Sequence, residues 1–435
     1  WYSNSLTTWA HVLDEKAVFY DSKVFLSMNG ETVTFGDFHR RVERLAQGLI
    51  AIGIKKGEVV ALYLINSIDW VICQFAIYKI GAILLPLYSY YRKQELTYAL
   101  SQAEVAVLIM QDDFLGQVNA LSIVESVIPE LKNKSSDTFE SVNFPYLRHI
   151  IRTGGGDNLI IRHDIDDITL LGSEILPKEL ERRQDSISPF DVMNIMYTSG
   201  TTGFPKGATL SHHNILNNGF FVAESMGFTS EDRLVIPVPL YHCFGMVMGN
   251  LGCVTHGAAM IYPDEGFDPG KVLKAVHEQK ATALYGVPTM FIAELEHPDF
   301  ASTDFSTLRT GIMAGSICPA EIMKQVINKM NMKGVQIAYG MTETSPVSTQ
   351  TGANDTIEKR VSTVGRTQPH LESKIVDPGN GGILPRGEIG ELCTRGYSVM
   401  LKYWNNDKAT AEAIDETGWM HTGDLATMDD EGYIQ

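Results

Sequence analysis

Two different spacings of apolar residues alternate along the first 110 positions of the chain. Short apolar, β-prone runs predict strands, and apolar residues three and four positions apart predict helices. After Thr34, which can cap a helix, apolar residues continue at helical spacing as far as Ile52. Before it, turn residues Asn29 and Gly30 separate two β-prone runs, which predicts a hairpin. Further predicted strands are 59–64, 83–87 and 105–110, and the helices between them are 69–80 and 93–102.

A second alternating block follows, and the character of the chain changes again from about Val364. The second block has predicted strands at 233–238, 258–261, 281–285, 310–313 and 336–338, and helices at 214–226, 246–257, 271–278 and 320–332. Strands that alternate with helices imply parallel sheets covered on both faces. Later, Gly, Pro and Asp separate short strands at 372–376, 388–394 and 432–435, as in a small antiparallel or barrel-like unit. The pattern therefore predicts an α/β fold with two doubly wound sheet subdomains, residues 1–190 and 191–363, and a small β-barrel-like subdomain, residues 364–435.

Composition and charge narrow the possible partners. The chain has 435 residues, of which 44% are hydrophobic and 20% charged, as in globular proteins. A net charge of −17 argues against a surface that binds nucleic acid or an anionic membrane. The sequence contains no run of about eighteen apolar residues, so no membrane span is predicted. Five scattered cysteines without a Cys-x-x-Cys pair indicate neither a disulfide framework nor a zinc site. Cysteine usage of this kind suits an intracellular reducing compartment.

The segment YTSGTTGFPKG, residues 197–207, combines glycines, hydroxyls and a lysine. Glycine lets backbone N–H groups approach a ligand closely, and successive amides in a turn favour anions. The hydroxyls are further donors to phosphate oxygens, and the lysine adds a full positive charge. The segment predicts a phosphate-binding loop, whereas the alternative is a solvated loop between two strands. The proposed contact residues are Thr198, Ser199, Gly200, Thr201, Thr202, Gly203, Pro205 and Lys206.

This segment differs from a Walker A loop. In that motif a Ser or Thr follows the lysine and holds magnesium. Here Pro205 precedes Lys206 and Gly207 follows it, so no hydroxyl stands at the metal position. A magnesium ligand must therefore come from another part of the chain.

The segment AYGMTETSP, residues 338–346, follows a predicted strand and can supply that ligand. Open α/β sheets bind ligands at the carboxyl ends of their strands. Tyr339 offers a flat face for a base, next to Gly340. Thr342 offers a hydroxyl, and Glu343 offers the hard oxygen that magnesium prefers. The alternative is that Thr342 or Glu343 caps the following helix.

Two shorter segments add candidate nucleotide contacts. In MAGSICP, residues 313–319, Gly315 and Ser316 let the backbone approach a flat ring, or they cap the helix predicted at 320–332. In GWMHTGD, residues 418–424, Asp424 can bind both hydroxyls of a ribose, or it forms a turn. His421 in the same segment is interpreted as a structural partner rather than a catalyst.

An apolar tunnel is predicted around PVPLYHCFGM, residues 237–246. His242 lies between aromatic residues and a glycine, and residues 286–291 can line the same tunnel, whereas the alternative for both segments is apolar core. A catalytic pair of His242 and Cys243 is disfavoured, because adjacent residues rarely face each other and no third orienting group is evident.

In their sequences and in their order along the chain, these five segments resemble the adenylate-forming superfamily. This superfamily includes acyl-CoA synthetases, luciferases and the adenylation domains of peptide synthetases. The resemblance extends from about Thr34 onwards and includes GEIGELCTRGYSVMLKYW, residues 387–404. PLYHCFG, YGVPTMF and GYSVMLKYW look most like acyl-CoA synthetases of the medium-chain fatty-acid type. The resemblance implies ATP, Mg²⁺, CoA and a fatty acid as ligands, and a mitochondrial-matrix or cytoplasmic location.

The resemblance also implies a role for each candidate residue. Residues 198–206 would hold the β- and γ-phosphates, with Lys206 taking part in catalysis. Tyr339 and Gly340 would face adenine, with Gly315 and Ser316 along its other side. The remaining roles are Thr342 and Glu343 at the α-phosphate and magnesium, Asp424 at the ribose, and His242 at the mouth of the acyl pocket.

In family members, a segment similar to GYIQ is followed by a hinge and by a smaller C-terminal domain that supplies a lysine for adenylation. The resemblance therefore implies that this chain corresponds to the large N-terminal domain, with low activity when alone. Two alternatives remain open. The acid could be aromatic or carried to a carrier-protein thiol, or the chain could be a nucleotide-binding module without catalysis.

Overall fold

The computed structural model describes residues 7–132, 140–154, 163–198 and 204–435. Twenty-two strands and fourteen α-helices are found in these ranges. The strands are β1 Val24–Met28, β2 Glu31–Thr34, β3 Val59–Tyr63, β4 Ile83–Pro86, β5 Val105–Met110, β6 Asp113–Phe114, β7 Val118–Asn119, β8 His149–Arg152, β9 His163–Asp164, β10 Val192–Thr198, β11 Lys206–Ser211, β12 Arg233–Val235, β13 Ala259–Tyr262, β14 Ala283–Gly286, β15 Thr310–Met313, β16 Gly334–Gly340, β17 Val347–Gln350, β18 Arg366–Thr367, β19 Leu371–Val376, β20 Gly390–Gly396, β21 Lys402–Tyr403 and β22 Met420–Ala426.

The helices cover the sheets that these strands form. They are α1 Trp9–Phe19, α2 Phe35–Ala51, α3 Ile68–Lys79, α4 Lys93–Gln102, α5 Ala120–Val127, α6 Ile165–Leu171, α7 Pro177–Asp185, α8 His212–Ser225, α9 Gly252–His256, α10 Pro269–Glu278, α11 Pro288–Leu295, α12 Ala320–Lys329, α13 Ile357–Ser362 and α14 Asp407–Ala413. None of the helices in the described ranges is long and apolar enough to cross a bilayer.

Two large mixed sheets and one small antiparallel sheet make up the fold, which confirms the predicted α/β class. The larger sheet has the order β18-β17-β16-β15-β14-β12-β13-β1-β2, and the second has the order β21-β11-β10-β4-β3-β5-β8-β9. The third sheet, β19-β20-β22, is the small β unit predicted after residue 364. Strands β12 to β16 run parallel, so their carboxyl ends meet at one edge of the larger sheet.

The main hydrophobic core lies between the two large sheets. It joins α2, α3 and α8 with Val60 and Leu84 of one sheet and with Leu26 and Leu234 of the other. A second cluster covers the outer face of the eight-stranded sheet under α4 and α5, and a third lies under α10 and α12. Strands β3 and β5 are buried along their whole length because helices cover both faces.

Each of the two large sheets contains strands from before and from after residue 190. The N-terminal hairpin belongs to the nine-stranded sheet, where β1 lies parallel to β13. Conversely, β10 and β11 complete the eight-stranded sheet, in which β10 pairs with β4. The subdomain boundaries at 190 and 363 stay predictions, and the sheets themselves do not follow the order of the chain.

Several local predictions are confirmed, and two differ. Thr34 caps α2 by accepting a hydrogen bond from the Asp37 N–H at 3.1 Å, and the hairpin turns at Asn29 and Gly30. The strand predicted at 432–435 is wrong, since Ile434 forms a single bridge to Met428. The helix predicted at 246–257 is a π-helix, Phe244–Leu251, followed by α9.

Candidate active site

The base of the predicted phosphate loop is an antiparallel pair of strands. Thr198 at the end of β10 pairs with Lys206 at the start of β11. The Tyr98 hydroxyl donates to the Pro205 carbonyl at 2.9 Å, and its ring stacks on Phe204 with centroids 4.9 Å apart. Contacts from other elements therefore hold this stem. The predicted contacts Ser199, Gly200, Thr201, Thr202 and Gly203 lie outside the described residues.

One tyrosine joins this stem to the predicted metal carboxylate. The Lys206 ammonium lies 4.7 Å from the centre of the Tyr403 ring, and the Tyr403 hydroxyl donates to Glu343 Oε1 at 2.7 Å. Burial and the adjacent Glu343 carboxylate raise the pKa of Tyr403, so its hydroxyl keeps the proton that it donates. Lys206 and Glu343, 137 positions apart in the printed sequence, therefore share one site.

The segment 400–404, which follows β20, contacts both sides of this site. Strand β21 pairs with β11, and the Trp404 N–H donates to the Gly207 carbonyl at 2.7 Å. The Met400 N–H donates to the Glu343 carbonyl at 2.9 Å. This stretch therefore fixes the backbone of the phosphate stem and of the carboxylate segment at once.

The predicted nucleotide-binding segments meet at the carboxyl edge of the nine-stranded sheet. Gly315 and Ser316 follow β15 and are exposed, while Tyr339 and Gly340 end the neighbouring parallel strand β16. A Cβ on Gly340 would lie 1.7 Å from the Pro346 carbonyl oxygen, so only glycine fits there. The edge has the position at which open α/β sheets bind ligands.

The predicted adenine and ribose residues are in direct contact. The Tyr339 hydroxyl donates to Asp424 Oδ2 at 2.6 Å, although β22 belongs to a different sheet from β16. Burial and this carboxylate raise the pKa of Tyr339, which keeps the hydroxyl protonated. Asp424 itself is exposed to solvent and can reach a ligand at this edge.

The predicted acyl-pocket segment lies beside the carboxylate segment. The Thr342 side chain lies close to the Cys243 thiol, and burial raises the pKa of that thiol to about 12. The thiol is therefore protonated, in agreement with the rejection of a Cys–His pair. His242 is exposed to solvent, although desolvation by the surrounding protein lowers its pKa, and its Nδ1 accepts from the Phe244 N–H at 3.2 Å.

A family profile matches most of the chain, in agreement with this geometry. The profile of the family described as AMP-binding enzyme matches residues 9–404. The chain belongs to the AMP-binding enzyme family.

Curated relatives of this AMP-binding enzyme extend along nearly the whole chain. YngI of Bacillus subtilis (strain 168), which carries the provisional name of an acyl-CoA synthetase, is 50% identical over 402 residues, covering 92% of this chain and 73% of YngI. The mitochondrial medium-chain acyl-CoA ligase ACSF2 of Danio rerio is 39% identical over 420 residues, covering 95% of this chain and 68% of the ligase. Among solved structures, the N-terminal domain of FACL13 from Mycobacterium tuberculosis has a TM-score of 0.83 at 22% identity and covers 98% of this chain and 99% of its own, so the fold is shared.

The site of this AMP-binding enzyme contains tyrosines that were not predicted as site residues. Tyr403 lies in the segment GYSVMLKYW, but neither periodicity nor spacing connects it with Glu343. Tyr88 donates from its hydroxyl to the Tyr197 carbonyl at 2.8 Å, and Tyr98 supports Pro205. In the sequence, Tyr88 belongs to a cluster of aromatic residues with Tyr90 and Tyr91, which is a signal for part of this group.

In this AMP-binding enzyme, Tyr403→Phe tests the link to the carboxylate. The change keeps the ring beside Lys206 but removes the hydrogen bond to buried Glu343. Because hydrogen bonds to charged groups contribute about 1.5–3 kcal/mol, we expect the free energy of unfolding to fall by that amount. Urea denaturation measures the change, and Tyr146→Phe, at a ring that is 52% exposed, is the matched control. Equal stability of the two variants would contradict a structural role for this hydrogen bond.

Proposed function

We propose that the chain activates a fatty acid, most suitably one of medium length, by ATP-dependent formation of acyl-AMP with release of pyrophosphate. Acyl transfer to CoA then releases AMP. The observation that carries the proposal is Tyr403, which contacts the ammonium of the phosphate stem and the carboxylate predicted to hold the metal. The activities named for the relatives YngI and ACSF2 support the same reaction class and the medium-chain assignment.

The chain offers a suitable ligand for Mg²⁺. Glu343 is buried, and Tyr403 occupies its Oε1, while no hydrogen bond to Oε2 is found among the described residues. One fixed and one available oxygen match the preference of Mg²⁺ for one or two carboxylates together with substrate phosphates. When bound, Mg²⁺ would supply charge neutralisation for an anion that attacks a polyphosphate.

The chain's own residues would then position the two negatively charged reactants. Lys206 would bind phosphate oxygens next to the backbone amides of its loop, and Thr342 would donate to the α-phosphate. Tyr339 and Gly340 would hold adenine opposite Gly315 and Ser316, and Asp424 would accept from the ribose hydroxyls. Orientation of a carboxylate in line with the α-phosphorus contributes up to several kcal/mol by proximity, and no covalent enzyme intermediate is needed.

His242 would stand where the acyl chain enters. It is exposed to solvent and shortly precedes the buried residues of the π-helix. The π-helix supports an acyl pocket here, because such segments occur frequently at functional sites. Each buried CH₂ contributes about 0.8 kcal/mol, so chain length is selected weakly until a wall blocks the pocket.

The proposed location is an intracellular reducing compartment, either the mitochondrial matrix or the cytoplasm. All five cysteines are free thiols, and four of them are buried. The word mitochondrial in the name of ACSF2 supports the first location, and the bacterial source of YngI supports the second.

Exchange of radiolabelled pyrophosphate into ATP tests the adenylation step directly. We expect exchange that requires both Mg²⁺ and a fatty acid, with a maximum near medium length. A titration with ATP-Mg²⁺ and then with a fatty-acyl sulfamoyl-adenosine measures binding independently. ATP binding without acid-dependent exchange would favour a nucleotide-binding module, and exchange only with aromatic acids would overturn the fatty-acid assignment.

A further inference from the structure

The predicted ribose carboxylate lies in an irregular part of the third sheet. Between the pairs Glu391–Leu425 and Cys393–His421, the chain advances two positions on β20 and four on β22. The extra residues of β22 form a bulge at 422–424, where Gly423 has a φ of 75°. Bulges redirect side chains out of the regular ladder. The redirected side chain here is that of Asp424, which meets Tyr339 of the nine-stranded sheet.

A carboxylate from the neighbouring strand holds this bulge. Glu391 Oε1 accepts from the Gly423 N–H at 3.1 Å, a group that the bulge removes from the regular ladder. Glu391 Oε2 pairs with His421 Nδ1 at 2.9 Å. Glu391 therefore uses one oxygen on a residue within the bulge and the other on the residue just before it.

A short side chain within the bulge completes the arrangement. The Thr422 hydroxyl donates to the Leu392 carbonyl at 2.7 Å and accepts from the Asp424 N–H at 3.2 Å. These bonds tie the backbone of Asp424 to β20. Glu391 differs from Thr422 because its carboxylate is charged, and charge-assisted hydrogen bonds are roughly twice as strong as neutral ones.

A metal centre is the alternative explanation for this cluster. Ligand atoms of Glu391, Cys393 and His421 lie within 4.8 Å of one another, and these residue types bind zinc. However, the distance of 2.9 Å between Oε2 and Nδ1 is that of a hydrogen bond, and Gly423 already occupies Oε1. Burial and the Glu391 charge raise the pKa of the Cys393 thiol to about 11, so the thiol keeps its proton. The contacts therefore favour a hydrogen-bonded support over a metal site.

We propose that Glu391 is a positioning residue for the nucleotide ribose, because it holds the bulge that points Asp424 at Tyr339 and at the ligand. This inference rests on the proposed function, in which Asp424 accepts from the ribose hydroxyls. Glu391 acts through Asp424 and does not touch the nucleotide itself.

Paired titrations of the chain with ATP and with 2′,3′-dideoxy-ATP, both with Mg²⁺, test this role. In the wild type we expect ATP to bind about tenfold more tightly, as hydrogen bonds to a charged group permit. Asp424→Asn should bring the ratio of the two dissociation constants close to one. Glu391→Gln should lower the ratio to about twofold, since bonds to a neutral amide hold the bulge more weakly. Glu388→Gln, at an exposed position three residues earlier, removes the same charge and should keep the wild-type ratio.

The ratio separates positioning from a general loss of structure. A merely structural defect would weaken both ligands equally and leave the ratio unchanged, and that result in folded Glu391→Gln would overturn the proposal. Glu391→Asp, which keeps the charge but shortens the side chain, should also lower the ratio and serves if the glutamine variant does not fold. About one equivalent of zinc in the wild type, lost in Cys393→Ser, would likewise overturn a hydrogen-bonded role. A wild-type ratio near one, with ATP still bound, would instead contradict the ribose role of Asp424, whereas absent ATP binding would contradict the proposed function.

Discussion

Glu343→Gln is expected to lower the rate of adenylate formation about a hundredfold or more. Glutamine keeps an oxygen that can accept from Tyr403, so the local structure should survive. It replaces the second carboxylate oxygen by an amide group that cannot bind a cation and removes one negative charge. A loss of about 3 kcal/mol of charge stabilisation corresponds to roughly a hundredfold in rate.

The pyrophosphate exchange rate, measured over a range of Mg²⁺ concentrations, checks this expectation. We expect the variant to need more Mg²⁺ for half-maximal exchange as well as to have a lower maximal rate. Glu358→Gln, on an exposed position of α13, removes the same charge and should behave as the wild type. An unchanged exchange rate in a folded Glu343→Gln variant would remove this carboxylate from the site.

The second large effect concerns stability and comes from a carboxyl group outside the site. Glu294 on α11 is completely buried, and neither of its carboxyl oxygens has a hydrogen-bond partner among the described residues. Burial therefore raises the pKa of Glu294 well above its usual value of 4.5. The folded protein keeps this proton in a range of pH in which the unfolded chain has released it.

The sign of the pH dependence follows from this difference. The contribution of Glu294 to stability is complete below pH 4.5 and is lost progressively as the pH rises towards its folded-state pKa. In that range each pH unit lowers the free energy of unfolding by about 1.4 kcal/mol for one proton. Glu294→Leu removes the proton and the unpaired polar atoms together. We expect its stability relative to the wild type to increase steadily as the pH rises above 4.5.

Urea denaturation at a series of pH values measures this difference. Glu294→Gln removes the ionisation but keeps a buried polar group, so it should change the pH slope in the same way with a smaller gain in stability. Glu296→Gln, at an exposed position near the end of the same helix, is the control for the loss of a charge. Parallel curves for the wild type and Glu294→Leu would show that Glu294 finds a partner in solution.

Local signals in the sequence predict the elements near the site well. Helix α4 begins and ends where its pattern predicts, and α2 follows its Thr34 cap, because each boundary depends on residues close in sequence. Helix α7 was not predicted, although Pro177 at its first position is a recognised start signal. The helix at 246–257 was predicted without its π-helical turns, since the spacing of apolar residues does not distinguish them from α-helical turns.

The candidate site, too, could be predicted only in part from the sequence. The segments around Lys206, Glu343 and Asp424 could be recognised because each contains residue types that suit a nucleotide ligand, and the Glu343 segment also follows a predicted strand. Their common support could not be recognised, because Tyr403 and Glu391 act on residues far away along the chain. The bulge at 422–424 depends on the register between β20 and β22, which no local pattern determines.

Strand β21 has a consequence for how the protein is made. It is the edge strand next to β11 and carries Tyr403, so the phosphate stem lacks its last neighbour until residue 404 has left the ribosome. The synthesis of Lys206 precedes that of residue 404 by 198 positions, and the exposed edge of β11 would be open to wrong strand pairing during this time. Chaperones that cover strand edges during translation should therefore affect the yield of this protein more than its final activity.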